Sequence, residues 1–307
     1  MSAKTWPFVG WTWANHIRAA RRPDQPAKTM NAAKITRASK SNLAFAFVSL
    51  GRERREDITI FYAFCRVIDD IADSTELTVQ EKARDLTAWR RWLHESSPDE
   101  PAIARDVRQL IAKYSLRPAM LEEIIDGVEM DLQNVQYDSF EELRLYCYRV
   151  ASAVGLVSIE IFGYCNPACR QYAIELGLAL QMTNIIRDVG QDLSNGRVYL
   201  PQQDLARFDY PEEDLRLRKQ SEAFLRLMKF EAARAEAFFA NATDLLPRED
   251  RRSMVAAEIM RSVYQALLRR MKADGFRVFE KEYRLSRLEK SGRVVAQLLR
   301  GFLNARR

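Results

Sequence analysis

Residues 180–192 read LQMTNIIRDVGQD, and this stretch constrains the chain more than any other. At the helical period, Gln181, Asn184, Asp188 and Asp192 share one face. Leu180, Met182, Ile185, Ile186 and Val189 cover the rest, so the helix is apolar nearly all round and must be buried. Each unpaired carboxylate carried inside would cost roughly several kcal/mol. The polar stripe must therefore face a cavity, a cation or a partner.

A second stretch, DITIFYAFCRVIDDIADS, repeats this geometry without repeating the sequence. Tyr62, Arg66, Asp69 and Asp73 fall on one face of an otherwise apolar helix, with Asp70 displaced by about 100° around the axis. One Asp-x-x-x-Asp is weak, because charged helices carry many such pairs on solvated faces. Two of them, each in an apolar helix and each flanked by hydrogen-bonding side chains, form a pattern.

The rest of the chain supplies the scaffold for these stripes. Successive helical patterns are read over about 31–49, 55–74, 78–95, 101–114, 118–135, 139–163, 168–191, 211–245, 249–274 and 285–304, and no strand alternation is sustained. With only 11 Gly and 10 Pro in 307 residues, a turn-rich β chain is disfavoured. The expectation is one all-α domain over residues 31–307, a bundle with its sites between facing helices, preceded by an arm over residues 1–30. In that arm Trp6, Val9, Trp13 and Ile17 make an apolar stripe followed by Arg18, Arg21 and Arg22, which suits a membrane interface or packing on the protein body. No secretory cleavage site is read there, no run approaches the roughly 18 uncharged apolar residues of a span, and the tail GRVVAQLLRGFLNARR is expected to pack as a terminal helix and not to serve as a membrane anchor.

Charge and cysteine usage narrow the chemistry. The formal charge of +6 comes from interspersed Lys, Arg, Asp and Glu, which reads as a solvated helical surface, and no nucleic-acid partner is expected. Cys65, Cys147, Cys165 and Cys169 lie mostly inside apolar runs and read as small core residues of a reduced, intracellular protein; with only His16 and His94, a soft-metal site is not expected. Two carboxylate pairs facing each other suit hard divalent cations, Mg²⁺ or Mn²⁺, whose shells are completed by substrate phosphates. Arg66 and Arg187 are placed to take remaining phosphate charge. The Glu-x-x-His pattern of di-iron bundles and the phosphate-cradling P-loop are both missing.

FYAFCRVIDDIADS, YCYRVASAVG and LQMTNIIRDVGQDLSNGRVYLP, in this order and spacing, resemble the squalene/phytoene synthase family of isoprenoid synthases over about residues 36–300. The resemblance implies a single-domain isoprenoid-synthase helical bundle with a central cavity, and Mg²⁺-dependent head-to-head joining of two prenyl diphosphates. It implies Asp69, Asp73, Asp188 and Asp192 as metal–diphosphate ligands, with Arg66, Tyr62, Gln181, Asn184 and Arg187 contacting the diphosphates or orienting those ligands. Tyr146 matches a tyrosine near the reacting centre, and Arg197 and Tyr199 belong to the flap after the second aspartate motif. Ser41 and Asn42, in Ser39-Lys40-Ser41-Asn42-Leu43, match a diphosphate-contact segment, although the Leu-Pro step that follows it in the family is Leu50-Gly51 here. Tyr264 and Arg277 are expected to line the site from the C-terminal helices. Val150, Ala151, Val154 and Gly155 either leave room for a prenyl chain or pack helices tightly.

The forms Ile-Asp-Asp-Ile-Ala-Asp and Arg-Val-Ala-Ser-Ala-Val-Gly look more like bacterial presqualene diphosphate or squalene synthases, which favours farnesyl diphosphate as substrate. Stopping at presqualene diphosphate and continuing to squalene with NADPH both stay open, and phytoene formation from geranylgeranyl diphosphate is the second reading. From another class, a non-catalytic helical scaffold would need both aspartate stripes to be exposed and unrelated in space. A cytoplasmic location, with peripheral association on the inner face of the membrane, is the accompanying expectation.

Overall fold

A computed structural model of the chain describes residues 46–133 and 136–304. The arm over residues 1–30, and Ser41 and Asn42, lie outside the described residues. A 3₁₀ turn at Phe47–Ser49 leads into α1 (Arg52–Asp73), α2 (Val79–His94), α3 (Ala102–Lys113), α4 (Ala119–Met130) and α5 (Phe140–Cys147). A π-helical turn, Tyr148–Ser152, carries α5 directly into α6 (Ala153–Phe162). Then follow α7 (Ala168–Leu193), α8 (Gln202–Arg207), α9 (Glu212–Arg216), α10 (Glu222–Leu245), α11 (Val255–Ala273) and α12 (Arg287–Asn304). The described residues contain no strand.

Local chemistry explains several boundaries. Thr78 and Glu81 form a capping box at the start of α2, and Ser139 and Ser221 cap α5 and α10 by accepting from Glu142 and Phe224 backbone N–H groups. Gly163, at φ 77°, ends α6, and Arg54 of α1 donates to the Phe162 carbonyl there, placing a cation at the negative end of that helix. The pattern over 211–245 expected as one helix is broken: Arg218 takes a left-handed φ of 54°, and Ser221 starts α10 anew.

α7 is the centre of the bundle. It packs along α10 and against the π turn, α6, α11 and α5, burying Tyr172, Leu176, Met182, Ile185 and Ile186. α1 packs against α2, α3, α4 and α6 and buries Ile58, Phe61, Phe64, Ile68 and Ile71. Full burial of side chains of this size contributes about 1.5–3 kcal/mol each. The two stripe-bearing helices are thus fixed by their apolar faces.

Within the continuous helix Phe140–Phe162 an 18-residue stretch, two charged residues included, has a mean hydropathy of 1.4, apolar enough by composition alone to cross a membrane. This stretch is 61% buried inside the protein, because it runs through the core between α4 and α7. The tail packs only in part: α12 rests on α11, yet Leu288, Val295 and Leu299 face outward, 85%, 54% and 58% exposed. Cys65, Cys147 and Cys169 are buried as expected of core residues, whereas Cys165, in the loop between α6 and α7, is exposed and corrects that expectation; all four carry free thiols.

Candidate active site

The first stripe stands at the C-terminal end of α1. Asp69 is buried and accepts from Arg66 Nη1 at 2.8 Å, while the other guanidinium nitrogen of Arg66 pairs with Asp70. Burial pushes the Asp69 carboxyl well above the ordinary range, and its like-charged neighbours Asp73, Asp70 and Asp131 add to this against the opposing pull of Arg66. Asp70 is pushed up to about 6 for the same first reason, burial. The first stripe is therefore a crowd of carboxylates held by one guanidinium, an arrangement that additional positive charge would relieve. Tyr62 is buried one turn earlier, edge-on to Phe47.

The second stripe lies near the end of α7. Arg187, itself buried, holds both oxygens of Asp188, through Nε at 2.8 Å and through its terminal nitrogen. Asn184 donates to Gln181 Oε1 at 3.2 Å, and its own Oδ1 is buried with no hydrogen-bond partner among the described residues. A buried amide oxygen left unsatisfied costs about 1–3 kcal/mol unless a donor or cation arrives. Tyr264, buried on α11, lies within electrostatic reach of Arg187.

The segment after α7 ties the two stripes together. Arg197 reaches Asp73 Oδ1 at 3.3 Å through its side chain and bonds the Asp192 carbonyl at 2.9 Å through its backbone N–H. Beside it, Tyr199 donates to Asp131 Oδ1 at 2.7 Å and Tyr146 donates to Asp131 Oδ2 at 3.1 Å. The Tyr146 and Tyr199 rings are stacked with centroids 5.2 Å apart, and Tyr137 flanks both at 5.6 and 6.2 Å. Burial raises the Asp131 carboxyl, with Arg197 and the two hydroxyls opposing. Lys82 of α2, bonded to the Ala72 carbonyl at 2.7 Å, adds another cation near Asp73 and Arg197.

The π turn that follows Tyr146 is clamped from two sides. A Cβ on Gly177 would stand 2.5 Å from Ser152 Cα, and one on Gly127 would stand 2.7 Å from Val150 Cγ1. A π turn shifts the register of the residues after it, and here glycines on α7 and α4 admit the extra width.

The expected site residues thus divide. Arg66, Asp69, Asp73, Tyr146, Arg197 and Tyr199 are linked by the contacts above, Arg187, Asp188, Gln181 and Asn184 form the adjoining group on α7, and Asp192 borders a small pocket with Arg197 and Tyr199. Val150 and Gly155 are placed in helix packing, against Gly127 and against the Ala173 carbonyl, where a Gly155 Cβ would stand 3.1 Å away. Arg277 is exposed and paired with Glu280, next to Val278, whose carbonyl packs against Gly190 between Asp188 and Asp192. Asp131 and Lys82 escaped the sequence reading; Asp131 follows Glu122, Glu123, Asp126 and Glu129, and no spacing singles it out among them.

The donor set is one of hard oxygens, four aspartates and the unsatisfied Asn184 Oδ1, which fits Mg²⁺ or Mn²⁺. Among the described residues no three His, Cys, Asp or Glu side chains are gathered into a metal-holding group, because arginines hold the carboxylates instead. The fit is thus in donor chemistry, with the carboxylates standing as two arginine-bound sets.

The profile of the family described as squalene/phytoene synthase matches residues 36–289. The chain belongs to the squalene/phytoene synthase family. Squalene/phytoene synthases are prenyltransferases that join two prenyl diphosphates head to head. A phytoene synthase of Mycobacterium tuberculosis is 33% identical over 272 residues, covering 86% of this chain and 88% of that protein. A presqualene diphosphate synthase of Rhodopseudomonas palustris is 36% identical over 231 residues, covering 74% and 82%. A dehydrosqualene synthase crystal structure superposes with a TM-score of 0.77 at 22% identity, over 96% of this chain and 99% of that one, a likeness of fold. Membership sets aside the non-catalytic scaffold reading.

Proposed function

We propose that this protein condenses two farnesyl diphosphates to presqualene diphosphate in a reaction dependent on Mg²⁺. The observation that carries the reading is Arg197, which links the Asp73 carboxylate to the end of the Asp188–Asp192 helix beside the Tyr146–Asp131–Tyr199 group. It unites diphosphate-binding chemistry and an aromatic wall in one place.

Ionising an allylic diphosphate separates charge, and fixed positive groups at the leaving oxygens stabilise the developing anion. Arg66, Arg187 and Arg197 supply such groups from this chain. Asp69, Asp73, Asp188 and Asp192, with Asn184 Oδ1, would hold Mg²⁺, which supplies the remaining neutralisation when bound. Tyr137, Tyr146 and Tyr199 present π faces that favour an allylic cation, and the wall they make excludes water from it. Asp131 fixes both hydroxyls, so they are held in place when the cation forms.

Farnesyl diphosphate is favoured by the form of the first aspartate motif and by presqualene diphosphate synthases among the relatives, at 36% and 32% identity. The phytoene synthase relatives at 33% identity support geranylgeranyl diphosphate as the second reading. Continuation to squalene would draw on NADPH as hydride donor. A cytoplasmic enzyme working against the inner face of the membrane suits the apolar tails of either substrate. The test is product analysis with each diphosphate and Mg²⁺, with and without NADPH. A cyclopropyl C30 diphosphate from farnesyl diphosphate is expected, and turnover of geranylgeranyl diphosphate alone would overturn the assignment.

A further inference from the structure

α12 is apolar on two opposite sides. Val294, Gln297 and the partly buried Leu298 face the body of the protein, where α12 packs on α11. Leu288, Gly292, Val295 and Leu299, spaced at one helical face, point the other way. A terminal helix that only closed a bundle would be polar outside. Three of the seven large apolar side chains exposed among the described residues are instead gathered on this face.

Charge is gathered around the same helix. Residues 269–293 hold nine Lys and Arg against four Asp and Glu, a surplus of five in a chain whose formal total is +6. Arg284, Arg287 and Arg269 are exposed. Arg284 and Arg287 crowd Lys290, and Arg269 and Arg270 crowd Arg293. Arg270, Arg277, Lys281 and Arg284 pair with Glu289, Glu280, Asp274 and Glu282, Lys272 pairs with Glu236 on α10, and Arg269 and Arg287 add exposed positive charge beside them. Lys290 also feels the charge of Arg187.

We propose that the outer face of α12 docks on a bilayer of acidic lipids, with Leu288, Val295 and Leu299 entering the headgroup boundary and Arg284, Arg287 and their neighbours meeting lipid phosphates. An apolar stripe flanked by cations is the composition of helices that lie in a membrane interface, and neither a single-stranded nucleic acid nor a polar partner would use the leucines. The docking holds for either prenyl chain length.

Vesicle co-sedimentation of the full chain tests this, using phosphatidylcholine alone and phosphatidylcholine with phosphatidylglycerol. The full chain is expected to bind the acidic vesicles preferentially and to lose affinity with added salt. Leu288→Gln/Val295→Gln/Leu299→Gln is expected to weaken that binding at least about tenfold. Arg284→Gln/Arg287→Gln, which leaves the apolar face intact, is expected to weaken it about tenfold. Because all five side chains lie outside the packing on α11, thermal melts should match the parent protein. Unchanged vesicle binding by either variant overturns the proposal. So does self-association, or binding of a homopolymeric RNA, that the triple variant abolishes while vesicle binding persists.

Discussion

The Tyr199 hydroxyl donates to Asp131 Oδ1 at 2.7 Å across 68 residues of chain, joining the segment after the second aspartate motif to the end of α4. Because Asp131 also accepts from Tyr146, one carboxylate orients two aromatic rings that stack on each other. Asp131→Asn keeps the shape but turns one acceptor oxygen into a donor, which opposes one of the two hydroxyls. Hydrogen bonds to charged groups contribute about 1.5–3 kcal/mol, so kcat should fall roughly 10- to 100-fold with little change in KM. Steady-state kinetics check this, and a pure rise in KM would place Asp131 in substrate binding instead.

Asp69→Asn and Asp188→Asn should each lower Mg²⁺-dependent turnover by at least about a hundredfold while leaving the helical circular dichroism intact. Arg66 retains Asp70 in the first variant, so the fold keeps an ion pair there. Near-normal activity in either variant would contradict the role given to these carboxylates.

Gly177→Ala should destabilise the fold by about 1–3 kcal/mol, because the new methyl group meets the Ser152 backbone and not a side chain that can swing away. Urea unfolding reads the loss as a lower midpoint. A variant as stable as the parent would show that the π turn relaxes without cost.

Glu231 is fully buried on α10, held by Arg234 at 2.7 Å and facing Asp204, which shares that arginine. Burial first, and Asp204 second, push its carboxyl up to about 8 against the opposing charge of Arg234. Its folded value lies above the unfolded one, so between about pH 4.5 and pH 8 the folded state binds more protons than the unfolded state. The stability it contributes is fully present below that window and is lost as pH rises through it. Urea midpoints should fall over this range in the parent protein and fall less in Glu231→Gln. Equal slopes would contradict the sign.

The aspartates on α1 and α7 were legible in the sequence because a carboxylate stripe in an apolar helix has a period, and the period survives without tertiary information. Asp131 has none: it follows other acids along α4, and only the packing of α4 against the π turn brings two tyrosines to it. Val150 and Gly155 show the converse, since small residues read alike whether they line a cavity or admit a neighbouring helix, and contacts with Gly127 and Ala173 place them in packing. The two apolar faces of α12 were both present in the sequence, yet only the seat on α11 shows which of them is covered. The break before α10 is carried by Ser221, whose side chain caps Phe224 N–H, a signal that the sequence reading of one helix over 211–245 missed.

The central claim is that this site ionises one farnesyl diphosphate and lets the other capture the cation. Its most direct test is the stoichiometry of diphosphate release with farnesyl diphosphate and Mg²⁺ in the absence of NADPH. One diphosphate released per two substrates consumed, matched by an equal amount of cyclopropyl C30 diphosphate, is the predicted result. Release matched by farnesol, or no release at all, would contradict it.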